Sequence, residues 1–182
     1  DYIAMGIITL VYAVIAFVHL GSLKAPETEY SVVTNGAVVA DLGQDISLGK
    51  MAEYLGYQNN PKYLVDYSSD GTNWNTLYGA DNPWDAGSVF CWNYTDLNVM
   101  ARYIRISPAA DTVNDSIMEL VFTDTEGNVV TPVNAADYHN LFDEQDMYAS
   151  RATNLNGTYF DEIYHGRTAY EMIHKLYCYE NT

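Results

Sequence analysis

The chain has 182 residues and 48% apolar content, enough for one domain with extras and a real core. Its 24 acidic against 8 basic residues give a net charge of −16, which argues against a nucleic-acid footprint and against docking on anionic headgroups through a polybasic patch. The acidity serves solubility and by itself identifies no partner.

Residues 1–22 are expected to form a transmembrane helix. Ile3 to Leu20 contains no Asp, Glu, Lys or Arg, and such a run at about 1.5 Å per residue extends roughly 27 Å, close to one hydrocarbon core. A signal peptide is the first rival, but no basic n-region precedes the run and no clear small-x-small cleavage site follows it. A buried core helix is the second. Basic residues near the span orient it only weakly. The expected location is the cell membrane, with residues after about 22 outside the cytoplasm. Because the chain starts at Asp1 and stops at Thr182 just after a helical pattern, it reads as a piece of a longer protein.

Residues 23–133 are expected to form an all-β antiparallel jelly-roll or β-sandwich. Ala37 to Leu42 is apolar and β-prone, and Lys62 to Ser68 alternates Tyr63, Val65 and Tyr67 against Leu64, Asp66 and Ser68. Asp70-Gly71 is a hairpin signal, and Trp74 and Leu77 open the return strand. Ala101 to Ser107 alternates again, Ser116 to Phe122 is a further strand, and Asp124 to Gly127 turns the chain into Asn128 to Thr131. Trp84 and Trp92 are candidate sugar-stacking residues, with core packing as the alternative for each; Trp74 is assigned to the core. Asp41, Asp45 and Asp70 read as turn or solvated acids rather than calcium ligands, since no EF-hand-like spacing is present. No metal site is assigned and no cofactor is required, although a divalent cation in the sandwich stays open. Cys91 and Cys178 lack metal-ligand spacing and read as free thiols, with a bridge open outside the cytoplasm. Asn93, Asn114 and Asn156 each start a glycosylation sequon, a short pattern common by chance.

Residues 134–157 form an acidic connector that reads as a solvated link, with one helical turn expected in Ala135 to Phe142. Residues 158–182 hold a C-terminal amphipathic helix. Thr158-x-x-Asp161 suits a capping box, and Ile163, Ala169, Tyr170, Ile173, Leu176 and Tyr177 fall on one helical face. Asp161 and Glu162 would then occupy the first turn, where free amides and the helix dipole favour ionised carboxylates. That placement explains them as a cap, or as a positioned general base for transfer to a hydroxyl. Arg167 is a candidate phosphate contact, with an i,i+4 partnership to Glu171 as the alternative. His165 and His174 read as polar helix residues, since their spacing does not fit a helical metal pair.

Two resemblances bear on function. Val39 to Gly43, Tyr63 to Trp74, Ala101 to Ile106 and Ser116 to Phe122 together resemble a discoidin-like domain (coagulation factor 5/8 C-type, galactose-binding-like). That resemblance implies a sandwich fold; such domains often bind glycans and some bind calcium. Tyr159-Phe-Asp-Glu-Ile-Tyr-His-Gly-Arg-Thr-Ala-Tyr-Glu171 resembles the first extracytoplasmic loop of bacterial protein O-mannosyltransferase-like enzymes of the polytopic GT-C class, family 39. It implies that Asp161 is the catalytic base and Glu162 its neighbour, with Arg167 toward the donor phosphate. The implied partners are a polyprenyl-phosphate-linked sugar, an acceptor polypeptide or glycan, and the lipid bilayer. The chain departs from that family in carrying a sandwich between the first helix and the acid pair. The expected function is thus the N-terminal part of an inverting glycosyltransferase, inactive alone. The alternative is a membrane-anchored carbohydrate-binding module without catalysis.

Overall fold

The computed structural model describes residues 2–17, 25–56, 61–81, 83–85, 89–110, 112, 116–153, 156–158 and 161–176. Two strands of 18 residues each form its spine. β2 (Val38–Leu55) and β6 (Cys91–Pro108) pair antiparallel from Val38 opposite Ile106 to Leu55 opposite Cys91. β3 (Lys62–Ser68) joins the free side of β6, and β8 (Glu119–Asp124) joins the free side of β2. β4 (Asn75–Tyr78), β5 (Trp84–Asp85) and β9 (Val129–Val130) complete a seven-stranded sheet. β1 (Tyr30–Ser31) and β7 (Ser116–Ile117) form a separate two-stranded sheet, with the short helix α2 (Val32–Asn35) after β1. The expected β-sandwich is therefore present.

The expected strand at Ala37 to Leu42 is only the start of β2. Register shifts between Asp41 and Ile46, and again between Leu48 and Lys50, bend the spine so that it continues as one strand. At the second shift a Cβ on Gly49 would lie 2.6 Å from the Asp124 carbonyl oxygen, so no larger residue fits without moving backbone.

The main core gathers Val38, Ala40, Leu48 and Met51 of β2 with Tyr63 and Val65 of β3, Ile104 and Ile106 of β6, and Leu120 and Phe122 of β8. A second cluster of Ala52, Tyr54, Trp92, Met118 and Val121 packs under Ala25, Tyr94, Tyr148 and Ala149. The stretch Met51–Leu55 is buried at every residue, because successive side chains point alternately into the two clusters.

The connector does more than link. Leu141 and Phe142 are buried in the main core, and a 3₁₀ turn at Ala135–Asp137 supplies the expected helical turn. Asn134 acts as a substitute strand for the open edge of β2. Its Oδ1 accepts the Asp41 N–H at 2.9 Å and its Nδ2 donates to the Val39 carbonyl at 2.9 Å. The Tyr138 hydroxyl accepts the Val39 N–H at 2.8 Å. These bonds satisfy edge groups that would otherwise invite another strand.

The transmembrane expectation is corrected. Helix α1 covers Tyr2–Phe17, 16 residues; such a length rises only about 24 Å, short of a hydrocarbon core of about 30 Å. Among the described residues no helix is long and apolar enough to cross a membrane. α1 contributes no buried residue, so it is not a core helix either.

Helix α3 (Asp161–Ile173) begins where the sequence places the acid pair. Its docked face differs from the expected stripe. Ile173 is 77% exposed, whereas Glu171 is 1% exposed and Tyr170 is half-buried. The Thr158 hydroxyl donates to the Val89 carbonyl at 3.1 Å, tying the approach to α3 onto the sandwich.

Candidate functional site

A cleft of about 410 Å³ opens between the sandwich and α3. Tyr54 comes from β2, Met118 from the bend between β7 and β8, Phe90 from the turn before β6, and Tyr170 and His174 from the C-terminal helical segment. Ala25, Pro26 and Glu27, from the approach to β1, close the remaining side.

The aromatic wall is held from both ends. Phe90 has φ of +52°, a left-handed conformation that is uncommon for an aromatic residue. Its N–H donates to the Leu55 carbonyl at 2.8 Å and also reaches the Gly56 carbonyl at 3.3 Å, which fixes that conformation. The Phe90 ring lies 5.8 Å from the Tyr170 ring, and Tyr170 in turn stacks on His174 at 4.1 Å. Tyr54 packs edge-on to Trp92 at 5.5 Å, and burial pushes its phenol pKa up to about 12, so it stays a neutral hydroxyl. The cleft thus pairs flat apolar faces with the Glu27 carboxylate and the His174 imidazole. That combination suits a ring carrying hydroxyls: apolar faces stack, and polar groups fix its orientation.

The sequence-predicted residues fall as follows. Trp92 is 4% exposed, packed between Tyr54 and Tyr148, and presents no open face for stacking. Trp84 lies on β5 opposite Tyr63, and its side chain is outside the described residues. Trp74, expected in the core, is half-buried and sits on the outer surface with the Arg105 guanidinium 4.3 Å from its ring. Arg105 donates Nη2 to Asp66 at 2.7 Å, and the Thr76 hydroxyl donates to the same carboxylate at 2.8 Å. Asp41 is gripped two-pronged by Arg102 at 2.9 and 3.0 Å, and this pair holds its carboxyl below the usual range. Asp70 accepts from the N–H groups of Asn73 and Thr72, which depress its pKa and mark it as a turn acid.

Asp161 and Glu162 stand in the first turn of α3, with their side chains outside the described residues. Arg167 pairs with Glu171 through Nε at 3.1 Å, the i,i+4 partnership. Cys91 forms no disulfide among the described residues; Cys178 lies outside them.

Sequence reasoning missed the cleft and an acidic cluster. Glu119, Asp143 and Glu144 present carboxylate oxygens all within 4.8 Å of one another, a group that could hold a metal ion. Glu119 is fully buried, and burial pushes its carboxyl up to about 8. A sign of it was available: Glu119 interrupts an otherwise apolar run, Ile117 to Phe122, and a lone acid there needs a partner.

No family model matches the chain, and no curated protein matches it. Among solved structures it is similar to a pectin-binding carbohydrate binding module, at 21% identity over 49% of this chain and 66% of the module, with a TM-score of 0.41. It is also similar to a glycoside hydrolase, at 22% identity over 48% of this chain and 19% of the hydrolase, with a TM-score of 0.38. A family 89 glycoside hydrolase from Clostridium perfringens, in complex with PUGNAc, is similar at 25% identity over 50% of this chain and 11% of that enzyme, with a TM-score of 0.36. The chain spans less than two thirds of the length of each of these structures.

Proposed function

We propose that the sandwich is a carbohydrate-binding module whose sugar site is the cleft between the strands and α3. The observation that carries this reading is the aromatic wall, in which Phe90 is held at positive φ against Tyr170 beside a carboxylate and an imidazole. A pyranose stacks its C–H face on such a wall while Glu27 accepts from its hydroxyls and His174 orients a neighbouring group. The resemblance of Tyr63 to Trp74 and Ala101 to Ile106 to discoidin-like domains points the same way. Calorimetric titration of mono- and oligosaccharides tests it. Tyr170→Ala should weaken binding by about tenfold or more, the scale of a lost stacking anchor, with the melting of the sandwich unchanged. Affinity unchanged from the unaltered protein in both Tyr170→Ala and Phe90→Ala would remove the cleft from this role.

A second reading concerns the head of α3. The helix begins at Asp161, so the acid pair has the free amides of a first turn beside it. With the resemblance of Tyr159 to Glu171 to family 39 enzymes, this favours a general base. In that chemistry an acceptor hydroxyl oxygen bonds to the anomeric carbon of a polyprenyl-phosphate-linked sugar. The bond to phosphate breaks, the lipid phosphate leaves, and Asp161 takes the hydroxyl proton. Asp161→Asn in the full-length protein should abolish transfer from a polyprenyl-phosphate mannose donor while leaving sugar binding at the cleft intact. Retained turnover would dismiss Asp161 as the base.

A further inference from the structure

The cleft has a charge as well as a shape. The rings of Tyr54, Phe90 and Tyr170 line it. The planes of Phe90 and Tyr170 meet at 55° with centroids 5.8 Å apart, so the two rings form a corner rather than a stack. His174 lies nearly flat on Tyr170, 4.1 Å away at 25°, and extends that wall. The Tyr54 phenol, pushed up to about 12 by burial, brings no charge. The carboxylate of the lining belongs to Glu27, and no Lys or Arg stands among the described lining residues. A second carboxylate stands behind it: Glu144 Oε2 accepts the N–H groups of Glu27 at 2.8 Å and Thr28 at 3.0 Å. The described lining holds no Ser, Thr, Asn or Gln either. It is therefore rich in ring faces and negative charge and poor in hydrogen-bonding groups.

We propose that the cleft between the sandwich and α3 binds a quaternary ammonium group, a cation with no N–H to donate. The faces of aromatic rings carry the negative part of the quadrupole, and a cation within about 6 Å of a ring centroid is attracted to them. Two walls set at an angle turn two faces toward one point, which a stacked pair cannot do. A trimethylammonium head is covered by methyl groups, so it leaves water readily and packs against Pro26 and the polarizable thioether of Met118. Glu27 answers its spread charge without a hydrogen bond. A primary ammonium carries three N–H donors, and the single carboxylate of the described lining leaves some of them without a partner. This ligand is a cation rather than a pyranose, so the site does not depend on sugar binding.

The test is calorimetric titration at low salt with choline chloride and with its neutral isostere, in which a tert-butyl group replaces trimethylammonium. Choline should bind at one site with a dissociation constant on the order of 1 mM, and the isostere, equal in shape, about tenfold more weakly. Tyr170→Leu keeps an apolar side chain and loses the ring face; it should weaken choline by about tenfold and barely change the isostere. Glu27 is exposed, so Glu27→Gln should fold normally and weaken choline by about threefold. Asp96→Asn, on an exposed carboxylate paired with Lys50, should leave affinity unchanged. Phosphocholine decides the source of the cation. Glu27 and Glu144 repel its phosphate, so weaker binding than choline assigns the site to a free ammonium compound, and tighter binding assigns it to a phosphate-borne head group. Equal affinity for choline and its isostere, or no binding heat at about 10 mM choline, well above the expected constant, would overturn the proposal and leave the sugar site standing. Choline bound where no sugar binds would overturn the sugar site alone.

Discussion

Phe90 and Tyr170 meet across the cleft with ring centroids 5.8 Å apart and planes tilted by 55°. The sandwich side of that contact is held at positive φ, and the helix side rides on α3, so this ring pair joins the two parts.

The backbone and the ring of Phe90 can be separated experimentally. Phe90→Ala loses the ring and keeps the disfavoured φ, whereas Phe90→Gly loses the ring in a residue that accepts it. The Gly variant should therefore be more stable than the Ala variant by about 1 kcal/mol. Both should speed amide hydrogen exchange in α3 to the same extent, because both remove its contact. Identical melting of the two variants would show that the φ carries no cost.

Glu53 gives the pH dependence. It is fully buried in β2, and neither carboxyl oxygen makes a hydrogen bond of good geometry among the described residues. Burial pushes its pKa well above the ordinary range, with Tyr63 pulling only partly back. The carboxyl is therefore carried into the fold protonated. Below its ordinary value near 4.5 both states hold the proton and folding costs nothing extra. As pH rises from there toward the folded value, the unfolded chain releases a proton that the fold retains, so stability falls. Glu53→Gln removes this dependence. It should be more stable than the parent at pH 7, by a margin that widens as pH rises above the ordinary glutamate value. Urea melts of both proteins from pH 4 to 8 should converge at the acid end; a constant gap across that range would refute the assignment.

Strands whose two faces differ are legible in the sequence, and Lys62–Ser68 is the clearest, since alternation there matches one buried and one wet face. Met51–Leu55 hides because both faces are covered, so its pattern is a run that no period distinguishes. The cleft is less legible still. Phe90 has no periodic neighbour to mark it, and Tyr170 faces the sandwich only because α3 docks through Glu171 rather than through Ile173. Trp74 misleads for a related reason: an aromatic beside a hairpin suggests core, and only the three-dimensional position of Arg105 reveals a surface stack.

Asn134 should matter more than a connector residue ordinarily does. Asn134→Ala deprives the Asp41 N–H and the Val39 carbonyl of a partner at the open edge of β2. The Val39 carbonyl keeps the Tyr138 hydroxyl at 3.1 Å, so the Asp41 N–H bears most of the loss. The expected cost is about 1–2 kcal/mol, the penalty for a stranded polar group at a partly covered site. Asn134→Asp keeps the acceptor and should recover part of it. Chemical denaturation of the three proteins decides the matter, and indifference to Asn134→Ala would mean that water replaces the side chain freely.

Charge predicts which sugars the cleft prefers. Glu27 lines it, and the chain as a whole carries −16. A uronate brings its own carboxylate toward this field, whereas the corresponding neutral hexose brings only hydroxyls. The neutral sugar should bind more tightly by about fivefold at low salt, on the scale of one partly screened like-charge contact. Raising the ionic strength from about 0.02 to 0.5 M shortens the screening length several-fold and should shrink that preference. Glu27→Gln should shrink it further at low salt, because it removes the nearest repelling group and keeps a hydrogen-bonding side chain of similar shape. A uronate that binds as well as the neutral sugar at low salt would place the ligand away from Glu27.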